Sequence, residues 1–207
     1  MTNFIELINT TANTFEQLIC TSANLQEIAT EDFGWSNRRW SSSRFRLAHV
    51  ERFEQPKFSV LHTVIFPHIM DPSPIFGFDI IASDVKATGL FFDLSPTIQP
   101  GAPFSPRDYS EPRQRPEWGD IFSEHWVACR PSFDEAVEIS SNACKTLATY
   151  LDGLMTQTTH KVGEVVRAQN HYSLQQRQNE HTTRVIRKIL GPDRGNYFIE
   201  NILFPVI

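Results

Sequence analysis

F-R-L-A-H-V-E-R-F (45–53), F-S-V-L-H-T-V-I-F-P (58–67), I-F-G-F-D-I-I-A-S (75–83) and K-A-T-G-L-F-F-D-L (86–94) follow one another between Phe45 and Leu94. They are short apolar runs with a period of two, separated by Pro, Asp, Gln and Lys, which is the pattern of β-strands. Phe45, Leu47, His49, Glu51 and Phe53 share one predicted face, with Arg44, Arg46, Ala48, Val50 and Arg52 on the other. Phe58, Val60, His62, Val64 and Phe66 align in the second run, and Ile75, Gly77, Asp79 and Ile81 in the third. Two of the runs are apolar on both faces, so helices are expected on both sides of the sheet. The connectors E-Q-P-K and S-D-V are hairpin-short and predict antiparallel pairing.

Outward from this core, residues 12–29 carry Phe15, Leu18, Ile19, Leu25 and Ile28 at helical spacing, and W-S-N-R-R-W after Gly34 reads as a first strand. Residues 95–118 hold Pro96, Pro100, Pro103, Pro106, Pro112 and Pro116 and are expected to form a long irregular loop. A strand is predicted over 121–130 and a helix over 133–157. A polar stretch fills 161–178, and a further helix ends at Gly191. The end, with Tyr197, Phe198 and I-L-F-P, reads as a short helix or tail.

The 207 residues carry 21% charged and 40% hydrophobic residues and a formal net charge of -5, the balance of a globular domain and not of a nucleic-acid binder. No apolar run reaches the roughly 20 residues of a membrane span, and M-T-N-F-I-E-L lacks the pattern of a secretory signal. Cys20, Cys129 and Cys144 are odd in number and widely spaced, which fits reduced thiols. A single domain over residues 1–207, cytoplasmic and monomeric, is the expectation.

The chain holds no dinucleotide fingerprint, P-loop, nucleophile elbow or H-E-x-x-H. What stands out is one titratable residue in each of three apolar strands: Glu51, His62 and Asp79. Burying them is costly. Such a set fits an acid–base centre, a structural network, or a metal site with His49 as second histidine. Arg113 and Arg115 in the long loop suit either a carboxylate clamp or a solvated rim. Arg38, Arg39, Arg44, Arg46, Arg52 and Lys57 make a local basic cluster in an acidic protein.

Several segments together resemble one family. N-R-R-W-S-S-S-R-F-R-L-A-H-V-E (37–51), V-L-H-T-V-I-F-P (60–67), I-F-G-F-D-I-I-A (75–82), F-D-L-S-P (92–96), W-G-D-I-F-S-E (118–124), Q-Q-R-Q-N-E-H-T-T-R-V-I (175–186) and I-L-F (202–204) are similar to the ferredoxin-dependent bilin reductases, in particular their phycocyanobilin-forming branch. The resemblance implies a three-layer α/β/α sandwich with a central, mainly antiparallel sheet. It also implies biliverdin IXα held between the sheet and the C-terminal helices. No metal or bound cofactor is expected; electrons come from reduced [2Fe-2S] ferredoxin, with a haem oxygenase as the upstream source of substrate.

Carried onto this chain, the resemblance makes Asp79 and His62 the central proton-donating pair and Glu51 the acid near the D-ring vinyl group. Arg113 and Thr88 fall at propionate-binding positions, and Asn179 lies on the helix closing over the substrate. Glu180 stands where the family typically has Asp, and His181 where the cyanobacterial branch has a propionate-binding Lys. The implied reaction is a four-electron reduction by alternating protonation and single-electron transfer, first to phycocyanobilin. A phycoerythrobilin-forming relative and a bilin or haem carrier without turnover are the alternatives. The basic cluster around Arg38 to Lys57 is expected to contribute to the ferredoxin dock.

Overall fold

The four runs form the centre of a seven-stranded sheet in which every strand pairs antiparallel with its neighbour in chain order. The computed structural model describes residues 3–55, 58–100 and 108–207. Helix α1 (Phe4–Cys20) precedes β1 (Gln26–Glu27), β2 (Ser36–Ser41), β3 (Phe45–Gln55), β4 (Phe58–Pro67), β5 (Ile75–Ala82) and β6 (Ala87–Ser95). A 3-10 turn (Gly119–Ile121) then leads into β7 (Val127–Cys129). Helices α2 (Phe133–Gly153), α3 (Val162–Gln176), α4 (Glu180–Leu190) and α5 (Pro192–Phe198) follow, with a π-helical turn at Ile199–Leu203.

Both sheet faces are covered, giving the expected α/β/α sandwich. On one face Leu61, Ile65, Phe76, Phe78 and Phe92 pack with Phe15 of α1 and Leu147 of α2 in the main core. On the other, Leu47, Val64, Phe66 and Ile75 pack against Tyr172 of α3. Phe33, Ile186, Phe198 and Phe204 close a third cluster nearby.

The alternation predicted for residues 44–53 fails at its start. The β3–β4 register shifts between Phe45 and Leu47, and a bulge re-aims the side chains on either side of it. Phe45 enters the α1/α2 core. Arg46 instead turns to the opposite face, where its guanidinium lies 4.2 Å from the Phe66 ring centroid. The basic cluster is therefore split. Arg38 and Arg52 pair with Glu16 of α1, and Arg44 reaches the Leu151 carbonyl of α2. Arg39 and Arg46 face the other way, and Lys57 lies outside the described residues. Among the described residues these arginines do not share one face.

Helix α1 begins and ends earlier than the 12–29 prediction. The Asn3 side chain accepts the Glu6 N–H, so Phe4, Leu7 and Ile8 extend the apolar stripe backwards. Asn24, at φ 57°, turns the chain out of the helix. Ile28 then donates its N–H to Arg39, so the end of the predicted helix becomes an edge strand and its continuation. The predicted strand 121–130 shrinks to Val127–Cys129, and the helix over 133–157 ends at Gly153.

The polar stretch after Lys161 is α3. It escaped the apolar period because it buries Gln169, Ser173 and Gln176 beside Tyr172. Gly191 stops α4 as expected, at φ 82°, a conformation that favours glycine. Residues 101–107 of the Pro-rich loop lie outside the described residues. The part nearest β7 pairs along that strand's edge, with Arg113 N–H donating to Ala128 and Arg130 N–H to Glu111.

Candidate active site

The sheet register sets the site. Glu51 of β3 pairs with His62 of β4, and His62 with Asp79 of β5. The same row continues to Asn37 on one side and Phe91 on the other. Directly opposed residues project to the same face, with neighbouring strands about 4.8 Å apart. Three titratable groups thus form a line on the face covered by α3.

His62 Nδ1 lies 2.6 Å from Asp79 Oδ1, and the imidazole Nε2 is shielded from solvent without a hydrogen-bond partner among the described residues. Burial opposes a charge on His62, but the Asp79 carboxylate and its hydrogen bond, with Glu51, raise its pKa. Glu51 accepts a 2.8 Å hydrogen bond from the Trp35 indole N–H. Its carboxyl is pushed up to about 7, chiefly by burial, with the His62 charge and the indole bond working against that rise. Asp79 is the open end of the row: its side chain is 36% exposed against 10% for His62.

Other groups close in on the row. His49 stands one step along β3, its ring centroid 5.7 Å from that of His62 and its Nε2 2.9 Å from Asn37 Oδ1. Burial holds the pKa of His49 well down, and the neighbouring His62 and Arg39 charges add to the effect. Among the described residues no three His, Cys, Asp or Glu side chains are grouped to hold a metal ion. Phe204 meets the His62 ring edge-on at 5.7 Å. A Cβ on Gly77 would come within 3.2 Å of the Tyr172 hydroxyl, so glycine is what lets α3 seat this close to Asp79's strand.

Beside Asp79, Phe91 packs on Phe122, which stacks on Trp126 at an interplanar angle of 2°. This wall is pinned from below. Buried Asp93 accepts from Ser95 Oγ and from both the N–H and Oγ of Ser123. Arg115 ties the carbonyls of Phe122 and Ser123 and faces Trp126. It is exposed at the rim, and from there it braces the wall.

The substrate-binding positions are more dispersed. The Arg113 guanidinium donates to the Thr88 carbonyl at 2.7 Å and lies over Gly89, on the face of the row. The Thr88 hydroxyl itself donates to the Ile81 carbonyl. Asn179 is the N-cap of α4, its side-chain oxygen accepting from the His181 and Thr182 N–H groups. Glu180 and His181 are exposed in the first turn of α4. Among the described residues no hydrogen bond or ion pair joins either of them to Glu51, His62 or Asp79.

Trp35, Phe204 and the Asp93–Ser123 tie lie in segments quoted above, but nothing in the sequence marks them as part of the site. Asn37 was discoverable, because the spacing of two paired strands aligns it with Glu51. Nothing local marks Phe204, which arrives from the far end of the chain.

Known proteins resemble this chain in sequence and in fold. The family profile for ferredoxin-dependent bilin reductase matches residues 19–205. Phycocyanobilin:ferredoxin oxidoreductase of Trichodesmium erythraeum is 32% identical over 185 residues, covering 81% of this chain and 75% of that protein. The protein of the same name from Prochlorococcus marinus is 32% identical over 190 residues, covering 84% and 76%. The solved structure of PcyX superposes with a TM-score of 0.68 at 25% identity, covering 96% of this chain and 98% of that one. Tomato phytochromobilin synthase, solved in complex with biliverdin, shares the fold at a TM-score of 0.72 and 14% identity, covering 95% and 82%. The chain belongs to the ferredoxin-dependent bilin reductase family, oxidoreductases whose electrons come from ferredoxin.

Proposed function

We propose that the protein reduces biliverdin IXα by four electrons and four protons to a phycobilin, phycocyanobilin first. The observation that carries this reading is the in-register row of Glu51, His62 and Asp79, with two proton-holding carboxyl and imidazole groups buried and one carboxyl at the open end. Protonation makes the conjugated tetrapyrrole cationic and easier to reduce, so each electron from ferredoxin follows a proton from the protein. His62 and Asp79 share a proton across 2.6 Å and deliver it to the pyrrole nitrogens and lactam oxygens. Glu51, whose carboxyl holds a proton up to about pH 7, supplies the D-ring vinyl group. The Phe91–Phe122–Trp126 wall suits a flat conjugated substrate. Arg113, Thr88 and His181 are assigned to the propionates, and Asn179 and Glu180 to the wall closing over them.

The second product, phycoerythrobilin by way of 15,16-dihydrobiliverdin, is kept because Glu180 and His181 alter that closing wall. Anaerobic mixing with biliverdin and reduced ferredoxin, followed by chromatography, tests the reading. Phycocyanobilin, absorbing at longer wavelength, is the expected product; a shorter-wavelength product selects phycoerythrobilin, and unchanged bound biliverdin refutes turnover. Asp79→Asn is expected to lower turnover by roughly 100-fold or more, the scale of general acid catalysis. A variant with unchanged turnover and bilin spectrum removes Asp79 from the mechanism.

A further inference from the structure

Arg39 and Arg46 differ from the arginines around them. Arg38 and Arg52 are paired with Glu16, and Arg44 and Arg115 with main-chain carbonyls. Among the described residues no carboxylate lies within ion-pair distance of Arg39 or Arg46. Arg39 is aligned with His49 across β2 and β3, on the face of the acid–base row. Arg46 is brought to that same face by the β3 bulge, stacks on Phe66 and donates from Nε to Gln169 of α3. Arg39 Nε and Arg46 Nη2 are shut away from solvent without hydrogen-bond partners among the described residues, as is Nδ1 of the adjacent His49.

Two guanidinium groups close enough to repel each other, each with a buried unused donor, are costly to maintain unless a negative group joins them. The repulsion is felt: burial, and then the Arg39 charge, lowers the pKa of Arg46 to about 10. Arginine's planar fork matches an oxyanion with two or more oxygens. His49, kept neutral, contributes no competing acid. Arg39 is itself only partly buried, so the pair's outer edge reaches solvent.

We propose that Arg39 and Arg46 form a binding site for a small oxyanion group on the substrate-facing side of the sheet. The chemistry is shared by two sources, a propionate carboxylate of the bilin and a free anion such as phosphate. The bilin source rests on the function proposed above; the free-anion source does not.

The test compares wild type, R39Q, R39K and R39Q/R46Q. Biliverdin IXα and its dimethyl ester are titrated against each and followed by bilin absorbance, and thermal unfolding is recorded with and without inorganic phosphate. R39Q keeps the experiment interpretable if loss of the Arg46 stack unfolds the double variant, since the Arg39 side chain makes no hydrogen bond or ion pair among the described residues. For a propionate, the ester binds wild type about 10- to 100-fold more weakly than the acid. That penalty shrinks several-fold in R39Q and further in R39Q/R46Q, with partial recovery in R39K; what remains belongs to the second propionate, assigned to Arg113, Thr88 and His181. For a free anion, the ester penalty is the same in all variants, while phosphate raises the unfolding temperature of wild type and not of R39Q. An ester penalty and a phosphate response both indifferent to these substitutions overturn the site. If wild type fails to bind biliverdin at all, the proposed substrate falls, and the phosphate response alone decides the site.

Discussion

Glu51 keeps a carboxyl group that burial makes reluctant to ionise, with a pKa of about 7 in place of an ordinary 4.5. Between those two values the folded chain retains a proton that the unfolded chain has released, so stability falls as pH rises through the interval. The contribution is complete below 4.5 and gone above about 7. His62 acts in the same sense. Burial opposes its charge, but the Asp79 pair raises its pKa, so that stabilisation is present below the ordinary 6.5 and lost as pH rises through the folded value. Replacing Glu51 with Gln keeps an acceptor for the Trp35 indole and removes the titration. From pH 4.5 to pH 8 the variant should therefore gain about 2–3 kcal/mol on wild type, read from urea unfolding at both pH values. Parallel pH–stability curves would contradict the burial argument. At this scale the sequence was legible where a polar residue interrupted a period of two, as at Glu51, His62 and Asp79. It was mute about Trp35, because an indole nitrogen carries no sign of which carboxylate it will meet.

Helix α4 depends on its first residue boundary. Asn179 caps two N–H groups, and its loss to Ala should cost about 1 kcal/mol. Amide exchange over residues 180–183 should then speed up in Asn179→Ala and stay near wild type in Asn179→Asp, which preserves the cap. Equal exchange in both variants would show that the cap is not what holds the helix start. A fall in biliverdin affinity in Asn179→Asp as well would mark a substrate contact separate from capping. Elements were read well where the apolar period was strong, as in β3 to β6, α2 and α4. They were misread where another force set the boundary. The Asn3 cap and Asn24 turn moved α1, a bulge reversed Phe45 and Arg46, and α3 hid because its buried face is polar.

Across the whole molecule, the C-terminal segment is strapped down over the site. Arg177, the C-cap of α3, donates to the Phe204 carbonyl through Nε and Nη2 and to the Glu200 carbonyl. Ser173 Oγ donates to the Pro205 carbonyl, and Asn170 exchanges hydrogen bonds with the Ile207 main chain. Phe204 is thereby held against His62. Arg177→Ala should cost about 1–3 kcal/mol. By relieving the burial that opposes the imidazolium, it should also raise the pKa of His62 further, measured by histidine NMR titration. An unmoved His62 pKa in a destabilised variant would mean that the strap supports the fold without shaping the site.

The sequence by itself determined the antiparallel sheet and marked three titratable residues in its strands, because side-chain alternation and short connectors are local properties, and its motifs carried the family resemblance. Tertiary structure decided what those residues meet. Register brought Glu51, His62 and Asp79 into one row, burial and neighbouring charge set the proton affinities of Glu51 and His62, and β2–β3 register with a bulge in β3 left Arg39 and Arg46 on that face without a carboxylate among the described residues. Desolvation and pairing depend on groups distant along the chain, and only the folded arrangement brings them within reach of one another.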